Sequence, residues 1–113
     1  MKALWTKLFY FSASFSRGDK VYGHNYTLSV TVHFSETLSE DGVEKKINDS
    51  LIQKIHSRDL GLDVDFLRKT EITDFNLLKN FSKIISTAIK PAKLHSLSLD
   101  HDSRTKLFLP VNV

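Results

Sequence analysis

No cysteine occurs anywhere in the 113 residues, which removes disulfides, thiolate zinc sites and cysteine nucleophiles together. No stretch approaches the roughly 18 consecutive apolar residues that a membrane span needs. Met1 to Lys7 has a lysine near each end but no apolar core and no small-residue cleavage site. A signal peptide is therefore not expected, and a cytoplasmic location is. Basic clusters are scarce. The net charge is +3, but lysines and arginines are spread from Lys2 to Lys106, and only Lys45-Lys46 and Arg68-Lys69 are adjacent pairs. Aromatic and basic residues do not interleave in the way that stacks bases, so neither nucleic acid nor membrane is expected as a partner. The chain has no internal repeat, low-complexity segment or linker, and reads as one domain over residues 1–113.

What is present suits a globular fold: 26% charged and 41% hydrophobic residues, the ordinary balance of a soluble domain. A chain this short buries roughly two-thirds of its unfolded surface, and oligomerisation would add burial. Alternation is clearest from Tyr26 to Phe34. Tyr26, Leu28, Val30, Val32 and Phe34 share one side, and Thr27, Ser29, Thr31, His33 and Ser35 the other, the period of a half-buried antiparallel strand. Trp5, Phe9, Phe11, Ala13 and Phe15 form a similar stripe before it. The turn chemistry of Ser16-Arg17-Gly18-Asp19-Lys20 joins the two as a hairpin.

A polar connection from Ser35 to Lys46 follows, with Asp41-Gly42 as its turn signal. Ile47, Leu51 and Ile55 then recur every four residues, and Asn48 or Asp49 can cap a short helix there. A second helix is marked by Thr73 as its cap and by Leu77, Leu78, Phe81, Ile84, Ile85, Ala88 and Ile89 at helical period; Pro91 stops it. Leu97 and Leu99, then Leu107, Leu109 and Val111, read as two last strands around Asp100 to Arg104. The order β-β-α-α-β-β predicts an α+β fold, an antiparallel sheet with two helices on one face. Its two sheet edges must be covered, charged or paired with a neighbour.

Phe11-Ser12-Ala13-Ser14-Phe15, then Tyr22-Gly23-His24-Asn25-Tyr26, then Leu62-Asp63-Val64-Asp65-Phe66-Leu67 resemble the motifs of the 6-pyruvoyl-tetrahydropterin synthase family. That family also includes 6-carboxytetrahydropterin synthases. Gly23-His24-Asn25-Tyr26 is the specific piece; Asn80-Phe81-Ser82 and Lys90-Pro91 fall in matching places, and the likeness runs along the whole chain. The resemblance implies a T-fold, or tunnelling fold, whose subunits pair sheet edges into a β-barrel as trimers or hexamers and bind pterin-like substrates between subunits.

The resemblance also implies a three-histidine zinc site, a cysteine nucleophile, a catalytic Asp-His pair and pterin-anchoring glutamates. The zinc positions correspond to Phe15, Tyr22 and His24. A catalytic zinc wants three protein ligands and one open position, so the reading is that the zinc is absent and His24 is its only remnant. The short loop Ser16 to Val21 holds no cysteine, and Asp63-Val64 keeps the Asp without the His. The anchoring glutamate corresponds to His101, with Asp100 or Asp102 one residue to either side. The glutamate opening the second helix corresponds to Lys79 or Phe75, and is lost on either alignment.

No catalytic residue is assigned. His24, Asp63, His101 and Asp102 are the candidate ligand-binding residues. His24, His95 and His101 could build a replacement site if strands or subunits bring them together, and His95 and His101 share strand parity. Three functions follow as alternatives. One is a non-catalytic scaffold, self-assembled as a trimer or hexamer, that holds a flat pterin- or purine-like heterocycle without a cofactor. Another is an enzyme with altered chemistry built on His24, His101 and an aspartate. The last is a structural subunit that co-assembles with an active synthase.

Overall fold

The computed structural model describes residues 3–102 and 104–112; Ser103, in the predicted last loop, lies outside them. The hairpin is the largest feature: β1 (Leu4–Arg17) and β2 (Lys20–His33) pair antiparallel over their full length. Only Gly18 and Asp19 separate the strands, and Gly18 sits at φ +66°. A two-residue loop of type II′ requires positive φ at its first position, where glycine carries no Cβ penalty.

The remaining strands are β3 (Arg58–Asp59), β4 (Leu94–Asp100) and β5 (Leu107–Pro110), giving a five-stranded sheet in the order β3-β1-β2-β4-β5. β3 runs parallel to β1 and covers only Ala13 and Ser14. This short fifth strand was not expected, because two residues leave no periodicity to read. A bulge lies between β2 and β4: Thr31 pairs with Ser96 and Val32 with Leu94, so His95 has no partner on β2.

The first helix starts earlier than its apolar spacing suggests. It comprises α1 (Glu40–Ile47), a π-helical turn (Asn48–Ile52) and α2 (Gln53–Ile55). Its cap is Ser39, whose Oγ accepts the Gly42 N–H at 3.1 Å, not Asn48 or Asp49. Asp41-Gly42 thus belongs to a first helical turn, and Val43 extends the buried stripe of Ile47, Leu51 and Ile55. α3 (Asp74–Ala88) is capped as expected, the Thr73 Oγ1 accepting the Asn76 N–H at 3.1 Å.

Both helices lie on one face of the sheet. Phe9, Phe11, Ala13 and Phe15 of β1, Tyr26 to Val32 at alternate positions of β2, and Leu97 and Leu99 of β4 are buried against Leu51, Ile55, Leu77, Phe81 and Ile85. Phe11 stacks on Tyr26 with centroids 4.8 Å apart and meets the edge of Phe81 at 6.1 Å. The opposite face carries short polar pairs such as Thr6 and Thr31, whose hydroxyls are 2.8 Å apart. Leu8 and Tyr10 also lie on that face and are exposed. Among the described residues no helix is long and apolar enough to cross a membrane.

A Cβ at Gly18 would meet nothing within 4 Å, so substitution there acts through backbone conformation alone. Gly18→Val should destabilise the fold by roughly 1–2 kcal/mol, read from urea denaturation, with the slope of the transition unchanged.

Candidate functional site

The hairpin register decides which side chains meet. Ala13 pairs with His24 and Phe15 with Tyr22, so Phe15, Tyr22, His24 and Tyr26 all project from the helix-bearing face near the turn. There they line a cleft of about 470 Å³. Its walls also include Arg17, Ile72, Thr73, Asp74 and His101.

Aromatic rings form the floor and one wall. Phe15 and Tyr22 stack with centroids 5.3 Å apart and planes 21° from parallel. His24 lies 5.9 Å from Phe15 and 5.6 Å from Tyr26. At the rim, Arg17 Nη2 donates to the Ile72 carbonyl at 2.8 Å, and its guanidinium sits over the Phe15 ring, 5.5 Å from the centroid. That contact is a cation–π arrangement.

A polar cluster adjoins the rings. His101, just beyond β4, lies alongside His24 with ring centroids 4.3 Å apart. Its Nε2 is 3.2 Å from an Asp74 carboxylate oxygen. Asp74 is the first residue of α3, where a negative charge also suits the helix dipole. Burial, followed by the neighbouring His101, holds His24 below the ordinary histidine pKa of 6.5, against the pull of Asp74 and Asp102. Burial and then Asp74 push the Tyr26 phenol well up, so it stays protonated and able to donate near neutrality.

Of the four candidate residues, the fold brings His24 and His101 together. Asp63 is elsewhere: its Oδ2 accepts the Asp59 N–H at 3.2 Å and closes its own loop. Asp102 adjoins His101, but one of its oxygens accepts the N–H groups of Arg104 and Thr105, both at 2.9 Å. Those two bonds hold its carboxyl below the usual range and account for the residue as a turn former.

His95 does not converge with the pair. Five residues separate it from His101, roughly 20 Å along extended chain at 3.3 Å per residue, and the bulge breaks their shared parity. It meets His33 instead, centroids 5.2 Å apart. Asp74 is the residue that sequence reasoning missed. A carboxylate does stand at the opening of the second helix, one position before Phe75.

A three-histidine zinc site does not fit these residues. Phe15 has no lone pair, Tyr22 is committed to stacking on it, and His24 is one donor where three are needed. Among the described residues no group of three or more histidines, cysteines, aspartates or glutamates is placed to hold a metal ion.

No family model matches the chain, and no curated protein sequence does. A solved structure does: the Caenorhabditis elegans 6-pyruvoyl tetrahydropterin synthase superposes with a TM-score of 0.87, covering 98% of this chain and 96% of that one at 15% identity. The fold is therefore that of a 6-pyruvoyl tetrahydropterin synthase.

The depressed His24 has a consequence for stability. Between pH 6.5 and its lower folded value, the unfolded chain takes up a proton that the folded chain resists. Stability should fall as pH drops through that window, and His24→Gln should flatten the slope. Urea denaturation of both proteins at about pH 7.5 and about pH 5 checks this.

Proposed function

We propose that this chain is a zinc-free, self-assembling protein of the 6-pyruvoyl tetrahydropterin synthase fold that binds a flat pterin- or purine-like heterocycle. The ligand lies in the cleft at the hairpin end, which a second subunit completes. The observation that carries this reading is the Phe15–Tyr22 stack. Two positions that the sequence resemblance assigns to metal ligands hold rings, so the cleft has exchanged coordination for a stacking surface. Around it stand the groups that orient a heterocycle: the Asp74 carboxylate, the paired imidazoles of His24 and His101, and the Tyr26 phenol. Aromatic walls with a few convergent polar groups are the usual makeup of a small-molecule site.

Assembly has its own support. Among the described residues β3 covers only Ala13 and Ser14 of β1, and no strand lies outside β5. Such edges invite pairing with another copy. Leu4, Leu8 and Tyr10 are 48%, 45% and 67% exposed on the face away from the helices, apolar area that a neighbour would cover. Gly23 points the same way. Its φ is not positive, and an added Cβ would meet nothing within 4 Å, so nothing within the subunit calls for glycine there. Close approach by a neighbouring subunit would.

Purified protein should carry well under one zinc per chain by elemental analysis and should bind pterin or guanine in a fluorescence titration. Phe15→Ala should weaken that binding at least about 5-fold, the low end of the 1–3 kcal/mol that base–aromatic stacking contributes. Stoichiometric zinc, or no affinity for either heterocycle, contradicts the reading. Gly23→Phe should lower the assembled mass by light scattering while leaving the circular dichroism unchanged. An unaltered mass removes Gly23 from the interface.

A further inference from the structure

We propose that His33 and His95 form an open metal site that takes a divalent transition cation, Cu²⁺ most tightly, and clasps the C-terminal segment to the sheet. The site lies away from the cleft and does not depend on what the cleft binds. His33 and His24 are nine residues apart on β2, roughly 30 Å at 3.3 Å per residue.

The bulge builds the pair. Counting back from Leu97 and Leu99, regular alternation would turn residue 95 toward the helices. The register shift gives that inward place to Leu94, which pairs with Val32 and is buried. His95 is left to meet His33, the last residue of β2, with ring centroids 5.2 Å apart and planes 69° to each other. Re-aiming a side chain is a recurrent use of a β-bulge. Both rings are half-buried.

Each ring has one nitrogen held and one available. His33 Nε2 is 2.6 Å from the Asn112 carbonyl oxygen. A carbonyl only accepts, so Nε2 donates and Nδ1 keeps the lone pair. His95 Nδ1 is 2.8 Å from the Ser96 Oγ, which leaves Nε2 as its second donor position. A hydrogen-bonded outer nitrogen that orients the ring is the usual arrangement around a ligating histidine.

The spacing suits one shared ion. A metal held at about 2.0 Å by a ring nitrogen lies roughly 3.2 Å from the ring centre. Two such rings then have centres roughly 4.5 Å apart at a right angle and about 5.2 Å apart at a tetrahedral one. The donors choose the ion. Imidazole nitrogens with the other positions left to water favour Cu²⁺ over Ni²⁺ and Zn²⁺, and a chain without cysteine has no thiolate to change that order. Two protein donors hold an exchangeable ion, so zinc taken up here is lost during purification.

Backbone bonds carry the effect to the chain end. The Val111 and Asn112 N–H groups both donate to the His95 carbonyl, at 2.9 and 3.0 Å. Asn112 Nδ2 donates to the Leu94 carbonyl at 2.7 Å. An ion joining His33 to His95 thus closes a ring of contacts through β2, the bulge and residues 111–112.

The test titrates full-length ¹⁵N-labelled protein, stripped with EDTA and dialysed, with CuCl₂. Cu²⁺ is paramagnetic, so sub-stoichiometric amounts should erase the amide signals of His33, His95 and Asn112 first and spare those flanking His24. Calorimetry should show binding weakened at least about 10-fold in both His33→Gln and His95→Gln, since even an outer-shell partner costs that much. Circular dichroism checks that each variant is folded; if one is not, the wild-type spectra decide alone. Signal loss centred on His24 and His101, loss spread evenly over the surface, or none at equimolar copper overturns the site. Copper binding unchanged in either folded variant also overturns it, and tighter binding of Zn²⁺ than of Cu²⁺ overturns the choice of ion.

Discussion

The register of the β1–β2 hairpin is the constraint on which everything else depends. Side chains alternate across a sheet with a period of two, so a slip of one residue would send every apolar side chain of one strand to the wrong face. The two-residue loop at Gly18-Asp19 fixes that register from one end, and the buried column of Phe11, Tyr26 and Phe81 fixes it from the interior. The same pairing sets Phe15 beside Tyr22 and brings His24 to the face that His101 reaches from β4. Core and cleft are two stretches of one alternation.

The cleft lies where that alternation runs past the helices. Along most of the hairpin the inward side chains are covered by α3 and the first helix. At the turn end they face a cleft lined by Ile72, Thr73, the start of α3 and His101. Polar groups belong there: partial solvent access lowers the cost of Asp74, His24 and His101, which would be prohibitive in the dry centre of the core. The rings of Phe15 and Tyr22 add apolar area to the same cleft. The result sets aromatic area and polar groups around one cleft, and among the described residues no group of three or more histidines, cysteines, aspartates or glutamates is placed to hold a metal ion.

Much of the fold was legible in the sequence, because long elements carry their own period. The strands around Tyr26 to Val32 and the helix from Asp74 to Ala88 were read from alternation, capping and apolar spacing. The first helix was cut short because Asp41-Gly42 carries the chemistry of a turn, and the Ser39 cap that gives it another use is a side-chain contact with no periodic signature. β3 is too short to have a pattern. The cleft was half legible. Phe15, Tyr22 and His24 were visible through the motif resemblance, and His101 through strand alignment. Asp74 was hidden because an aspartate after a threonine cap is fully explained as a helix start, and its partner lies 27 positions away along the chain. His95 was grouped with His101 on parity, which a single bulged residue cancels.

The most direct measurement is a crystal structure of the chain grown with a pterin, with anomalous diffraction recorded at the zinc absorption edge. The account predicts a planar ring lying against Phe15 and Tyr22, its edge toward Asp74, and no anomalous peak near His24. An anomalous peak within bonding distance of His24, with donors from a neighbouring subunit completing its coordination, would contradict it.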